Sequence, residues 1–254
     1  MIISSYNVNG IRAAVKKGFV DWVKQTKPDV ICLQELKADV NQIPEEIHEL
    51  GYHEYYHPAE KKGYSGVGIL SKMEPEKVQL GMGLDWIDQE GRVIKARING
   101  VDIYSIYAPS GTSGDIRQSL KYEFLDAFER YSLPLLNGPS PTVLCGDFNI
   151  AHREIDIHDP VSNKKSSGFL PEEREWFTKF LNAGYKDVFR ELYPDLHDAY
   201  SWWTYRAGAK RNNKGWRIDY HLASEQLNQK AVAGKIEREL NMSDHVPVTI
   251  RYNI

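Results

Sequence analysis

Glu35 in ICLQELK and Asp147 in CGDFN each stand at the end of an apolar, β-branched run. An acid at the end of a buried strand is costly unless a cation or several hydrogen bonds satisfy it. Either acid alone reads equally as a cap for the next helix or an acceptor for backbone N–H groups. Asn7 and Asn9 in YNVNG, and Asp244 with His245 in MSDHVP, enlarge the group into an oxygen-rich set suited to a hard cation such as Mg²⁺. Soft-metal ligation is excluded by pattern, because neither Cys32 nor Cys145 has a CxxC or CxxH neighbour. The remaining polar tips are Tyr107 before APSG, Asn149 just after Asp147, and Asp219 in GWRIDYHL, where Ile218, Tyr220 and Leu222 surround the acid. Each of these read singly is as good a core or anchoring residue as a functional one. Their value lies in the ensemble.

The elements that must position them are short. Runs from Ile2 to Asn7, Val30 to Glu35, Val101 to Tyr107 and Thr142 to Asp147 have strand composition, so strand tips carry the chemistry. Helical patterns lie between them. Val15, Phe19, Trp22 and Val23 share one helical face that stops at Pro28; Leu120, Phe124, Leu125 and Phe128 share another. Pro171 opens a third, with acids in its first turn and Trp176, Phe177, Phe180 and Leu181 turned inward. The breaker clusters are loop-sized and none resembles a linker, so residues 1–254 are read as one domain. The mixture of alternating and continuous apolar strands predicts a four-layer α/β sandwich of two packed mixed sheets with outer helices, a single doubly wound sheet being the alternative.

Composition narrows the partners. With 32 Lys and Arg against 35 Asp and Glu, the net charge is −3, so no overall field draws the chain to polyanions. Any nucleic-acid contact must come from a local patch. Such a patch exists: from Tyr205 to Arg217 the chain carries Arg206, Lys210, Arg211, Lys214 and Arg217 without an acid, flanked by Trp202, Trp203 and Trp216. Aromatic residues beside cations suit stacking or wedging at DNA, although Trp203 also reads as core. Lys16/Lys17, Lys61/Lys62 and Lys164/Lys165 are further basic pairs beside loops. The opening MIISSYN is strand-like, no run of 18 apolar residues occurs, and both cysteines sit in strand-like runs as reduced core residues. The expected compartment is the cytoplasm, with no membrane contact.

The segments NVNGIR, LQELK, GYSGV, YAPSG, GDFNIAH, SGFLPEEREW, GWRIDY and SDHVP, in this order, resemble the exonuclease III type apurinic/apyrimidinic endonucleases of the endonuclease/exonuclease/phosphatase superfamily. The resemblance runs from Ile3 to about Val248. GDFN and SDH belong to the superfamily at large; SGFLPEEREW and GWRIDY point to its DNA-repair branch. The resemblance implies that Glu35 holds Mg²⁺, for which Mn²⁺ can substitute, with help from Asn7, and that Asp244 lies near a second metal position. The wider candidate ligand set is Asn7, Glu35, Asp147, Asn149, Asp244 and His245. It further implies that Asp147 activates or orients the attacking water and Asn149 holds that water or a phosphate oxygen. His245, paired with Asp219, would contact the scissile phosphate, and Tyr107 would hydrogen-bond it. Asn9 stands where some relatives have an acid, which lowers the charge near the metal.

The activity so implied is Mg²⁺-dependent cleavage of the DNA backbone 5′ to an abasic site, leaving a 3′-hydroxyl and a 5′-deoxyribose phosphate, with trimming of blocked 3′ ends. The expected substrate is duplex DNA carrying abasic sites or blocked 3′ ends, engaged by a monomer. Trp202, Arg206, Lys210, Arg211, Lys214 and Trp216 are the expected DNA contacts. A phosphatase of small phosphoesters and a catalytically silent DNA-binding module are the competing readings. The basic, Trp-flanked loop argues against the first and the full acid and histidine set against the second.

Overall fold

Strict alternation of side chains along the strands builds this molecule, described as a computed structural model over residues 1–254. One sheet contains β1 (Ile2–Asn7), β2 (Val30–Gln34), β3 (His53–His57), β4 (Val67–Ser71), β11 (Ala231–Ile236) and β12 (Val248–Tyr252). The other contains β5 (Lys77–Leu80), β6 (Val93–Ile98), β7 (Val101–Tyr107), β8 (Thr142–Asp147), β9 (Tyr185–Asp187) and β10 (Asp219–Ser224). Their orders are β11-β12-β1-β2-β4-β3 and β5-β6-β7-β8-β10-β9. Each sheet has one parallel pair, β1 with β2 and β7 with β8, among antiparallel neighbours.

The alternation sorts residues into layers. Ile3, Val30, Cys32, Ile103, Val143, Cys145 and Ile250 lie in the core between the sheets. Tyr6, Ile31 and Leu33 face the opposite way, onto Ile11, Phe19, Trp22 and Val23. Tyr104, Ile106, Leu144, Tyr220 and Leu222 face outward on the second sheet, under Phe124, Phe128, Phe177 and Phe180. The four-layer expectation is met: helix, sheet, sheet, helix. Cys32 and Cys145 are free and buried, as expected.

Two local details differ from the sequence reading. The helix expected through Val15 and Val23 is two helices, Ile11–Lys16 and Phe19–Thr26, broken where Gly18 takes φ 102°. Ile11 and Phe19, from the two helices, pack into the same core. The strand expected to run to Glu35 stops at Gln34, because Glu35 turns into the left-handed region at φ 51°.

His221, on β10, is in phase with the inner face and wholly buried. Its Nε2 lies 3.0 Å from the Val248 carbonyl and must donate to it. Its Nδ1 faces the Tyr252 hydroxyl at 3.4 Å and Cys145 Sγ at 3.5 Å, so the ring is neutral with the proton on Nε2. Burial pulls its pKa down to about 4. A histidine whose folded pKa is depressed is protonated more readily in the unfolded chain, so its contribution is intact above about pH 6.5 and is lost as pH falls toward 4. Denaturant titrations at pH 7 and pH 4.5 should show His221 costing about 2 to 3 kcal/mol at the lower pH. His221→Gln, whose amide can still donate to Val248, should lose correspondingly less between the two pH values.

Candidate active site

The same alternation that builds the inner core places polar side chains at one end of it. Asn7 is in phase with Ile3, Gln34 with Cys32, Tyr107 with Ile103, Asp147 with Cys145 and Asp219 with Ala223. Register then brings them abreast: Asn7 opposite Gln34, Tyr107 opposite Asp147, Asp147 opposite Asp219. The C-terminal ends of both parallel pairs and the N-terminal ends of β10 and β12 therefore meet at one edge. Asn9, Glu35 and Asn149 have positive φ (44°, 51° and 53°), conformations disfavoured for side chains with a Cβ. Strain of this kind persists only where surrounding contacts hold it.

Those contacts are specific. The Asn7 amide donates to Glu35 Oε1 and to Asp147 Oδ2, both at 2.9 Å. Asp147 Oδ1 accepts the Asn149 backbone N–H at 2.8 Å. His245 Nε2 lies 3.7 Å from Asp147 Oδ2, and its Nδ1 is 2.8 Å from Asp219 Oδ2. Ser201 Oγ donates to that same Asp219 oxygen at 2.6 Å and in turn receives the Ile218 and Asp219 backbone N–H groups. Asp244 accepts from Asn9 Nδ2 at 2.8 Å and Trp202 Nε1 at 3.1 Å. The Asn149 side chain donates to the Ala108 carbonyl at 2.9 Å.

Electrostatics divide the group into a cation, a tuned acid and a neutral phenol. Burial alone would discharge His245, but the Asp219 and Asp147 carboxylates outweigh it and push its pKa up to about 10. The ring is an imidazolium. Asp147 is raised to about 7, chiefly by burial, with Asp219 and Glu35 adding to the effect and His245 opposing it. Tyr107 is held well above its ordinary value by burial and by the Glu35 and Asp147 charges, so it keeps its proton.

Ligand atoms of Glu35, Asp147 and His245 lie within 4.8 Å of one another. Two carboxylates bridged by one amide, with only Lys37 reaching Glu35 at 2.7 Å from the solvent side, fit a hard divalent cation held largely by oxygen. His245 has its Nδ1 committed to Asp219 and is charged, which suits proton donation better than ligation. The oxygens of Asp244 are occupied by Asn9, Ser243 and Trp202. The site opens into a cavity of about 690 Å³ whose far wall includes Ser167, Gly168 and Trp216.

Several contributors escape a sequence reading. Lys37 looks like any surface lysine. Ser201, remote in sequence, holds Asp219. Arg92, buried, donates to the Tyr107 carbonyl and lies 5.0 Å over its ring. Only folding puts Arg92 and Ser201 beside the motifs, and nothing in their local sequence marks them; Lys37 lies within LQELK, but its residue type does not mark it as the partner of Glu35.

The basic loop is smaller than its composition suggests. Arg206, Arg211 and Lys214 are exposed. Arg217 is not part of the surface: it is fully buried, with Nε 2.8 Å from Asp156 and Nη2 2.6 Å from Asp187. It points into the fold, where these two carboxylates hold it. Lys210 is half-buried over the Trp203 ring and donates to the Leu240 carbonyl. Trp203 is core. Trp202 and Trp216 meet edge-on at 5.9 Å, and both line the cavity.

The chain matches the Endonuclease/Exonuclease/phosphatase family over residues 4–245. It is 44% identical over 255 aligned residues to an exodeoxyribonuclease of Bacillus subtilis, covering all of both chains. It is 44% identical to the DNA repair nuclease APEX1 of Danio rerio, covering 98% of this chain and 81% of that one. An AP endonuclease from Archaeoglobus fulgidus superposes over the full length of both chains with a TM-score of 0.89 at 32% identity. A 3′ phosphatase from Neisseria bound to a product DNA hairpin superposes with a TM-score of 0.93 at 28% identity, again over both whole chains. The chain belongs to the endonuclease/exonuclease/phosphatase family. Within that family its relatives are the exodeoxyribonucleases and AP endonucleases.

The reassignment of Arg217 has a measurable consequence. Arg217→Met leaves the buried Asp187 without its cation and should destabilise the protein by about 3 to 5 kcal/mol in denaturant titrations. Arg211→Met, on the surface of the same loop, should change stability by no more than about 0.5 kcal/mol.

Proposed function

We propose that this protein is a Mg²⁺-dependent DNA-repair phosphodiesterase, one domain over residues 1–254, that cuts the backbone 5′ to abasic sites and trims blocked 3′ ends. The observation that carries the reading is the convergence on Asp147 of Asn7, Asn149 and His245, in a cavity walled by Trp216, within a chain 44% identical to DNA-repair nucleases along its length. Free, buried Cys32 and Cys145 suit a reducing compartment, and no helix is long and apolar enough to cross a membrane. We place it in the cytoplasm, acting as a monomer.

Each residue then has a task. Glu35, with Asn7, would hold Mg²⁺, which neutralises charge on the phosphoryl oxygens when bound. Asp147 takes the proton of the attacking water; burial raises its basicity, and Asn7 and the Asn149 backbone hold it in place for that task. The water oxygen bonds to phosphorus as the bond to the 3′ oxygen breaks, and the departing 3′ oxygen takes a proton from solvent in the open cavity to become the 3′-hydroxyl. His245, charged and aimed by Asp219, and Tyr107, neutral, donate to the non-bridging oxygens where negative charge grows. Asn149 fixes Oδ1 of Asp147 through its backbone N–H, and the Asn7 amide holds Oδ2, the oxygen nearest His245. Arg206, Arg211 and Lys214 supply phosphate contacts around the site, with Lys210 contributing to the positive potential from its inward position.

A labelled duplex with one abasic analogue tests the reading: cleavage 5′ to the lesion in Mg²⁺, lost in chelator and far slower at the matching position of undamaged duplex, is expected. Failure to cut the lesion in Mg²⁺ would reject it. Glu35→Ala should lower activity and weaken its dependence on Mg²⁺ together; near-normal cleavage at limiting Mg²⁺ would remove Glu35 from the metal.

His245→Asn and Asp219→Asn should each slow single-turnover cleavage by at least about 10²-fold, and the double variant should fall little further, because the two act as one donor. Additive losses would break the pairing. Replacing Arg206, Arg211 and Lys214 together by Ala should weaken damaged and intact duplex alike and make the log–log salt dependence shallower by about 2 to 3. Trp216→Ala should instead lower the ratio of abasic to intact cleavage, a result that a purely packing role would not produce.

A further inference from the structure

Lys121 and Glu173 form an ion pair at 2.6 Å in which both side chains are wholly buried. They come from different helices, Asp115–Ser132 and Pro171–Asn182. A buried pair of this kind is no more stabilising than two well-packed apolar residues. Its use lies in what else it holds. Glu173 Oε1 also accepts from Gln118 Nε2 at 2.9 Å, while Oε2 accepts the Gly168 N–H at 2.6 Å and the Leu170 N–H at 3.0 Å. Lys121 Nζ donates to the Asn149 carbonyl at 2.7 Å. Burial pulls the Lys121 pKa down, and Glu173 and Asp147 oppose it, so the ammonium feels the reactive carboxylate.

Three parts of the cavity meet at this pair. Asn149 is held at its carbonyl by Lys121 and at its N–H by Asp147. Gly168 is wedged so closely that a Cβ there would stand 2.9 Å from the Trp216 ring and 3.0 Å from the Asn149 carbonyl. Gly111 rests on the same unit, since a Cβ there would stand 1.9 Å from Gln118 Oε1 and 2.6 Å from Ser167 Oγ. We infer that Lys121 and Glu173 are positioning residues, which set Asn149 against Asp147 and fix the spacing between the loops 108–114 and 163–170 that grip the damaged nucleotide. The inference rests on the abasic-site reading above.

The carboxylate receives four donors, and no glutamine can accept all of them, so Glu173→Gln and Lys121→Met should each lower thermal stability. The double variant Lys121→Met/Glu173→Gln relieves the conflict. Its new amide oxygen can take the Gly168 and Leu170 N–H groups, and its NH₂ can face the Gln118 oxygen once that amide turns over. Most of the lost stability should return, but the Asn149 carbonyl stays without its cation. Single-turnover cleavage of abasic duplex at saturating Mg²⁺ should therefore remain at least about tenfold slow, with the Kd for that duplex changed less than about threefold.

A double variant that recovers wild-type rate along with stability would show the pair to be structural only and overturn the inference. Gln118→Ala, which removes one of the four donors to Glu173, should lower the abasic-to-intact cleavage ratio by about threefold or more at a smaller cost in melting temperature than Lys121→Met, and it decides the matter if the double variant does not fold. An unchanged ratio there overturns the loop-spacing role. Wild-type protein run alongside separates the two levels: no wild-type cleavage of abasic duplex rejects the function itself, whereas wild-type cleavage with an undiminished double variant rejects only the positioning.

Discussion

A carboxylate buried at the mouth of the inter-sheet core, Asp147, is the constraint to which the rest of the site answers. Removed from water, it costs several kcal/mol unless charge or hydrogen bonds compensate it. Compensation comes from three directions: the Asn7 amide from the first sheet, the Asn149 backbone from the following turn, and the His245 imidazolium from the loop before β12. The imidazolium is itself buried and exists because Asp219, standing behind it, and Asp147 together outweigh the cost of burial. Removing any member would leave another charge uncompensated.

Two packed sheets suit this arrangement because each supplies what the other lacks. The first sheet brings Asn7 and Glu35; the second brings Tyr107, Asp147 and Asp219. Neither sheet alone could surround a phosphoryl group. The apolar inner core beneath, with its few hydroxyls and the Gln34 amide bonded to Ser105, keeps the two edges at a fixed separation. Positive φ at Asn9, Glu35 and Asn149 lets Glu35 and Asn149 line that gap while Asn9 holds Asp244 beside it, at a conformational cost that the packed core underneath can carry.

The outer parts of the cavity obey a different logic. Its floor is strand tips; its walls are loops, and loops need anchors to hold a shape. Arg92 anchors Tyr107 from behind, Ser201 anchors Asp219, and the Arg217, Asp156, Asp187 and Arg190 network underlies Trp216. Cations therefore serve two ends here. Arg206, Arg211 and Lys214 face solvent, where charge acts at a distance, whereas Arg92, Lys121 and Arg217 are buried, where charge fixes geometry.

The strands, the two-sheet architecture and the strand-tip residues Asn7, Tyr107, Asp147 and Asp219 are legible in the sequence, because alternation and apolar runs are local properties that survive in any context. That Glu35 and His245 join the same polar group is legible too, from motif and residue type. What tertiary structure alone decided is which charges are inside. Arg217 and Lys210 share a basic stretch with Arg211 and Lys214, yet Arg217 meets Asp156 and Asp187, which lie 61 and 30 residues away along the chain. Arg92, Ser201 and Lys121 likewise carry no local signal, and Lys37 and Glu173, although inside LQELK and SGFLPEEREW, are not marked there as the partners of Glu35 and Lys121. Burial of a charge depends on a partner brought from elsewhere in the chain, and the sequence around the charge does not contain that partner.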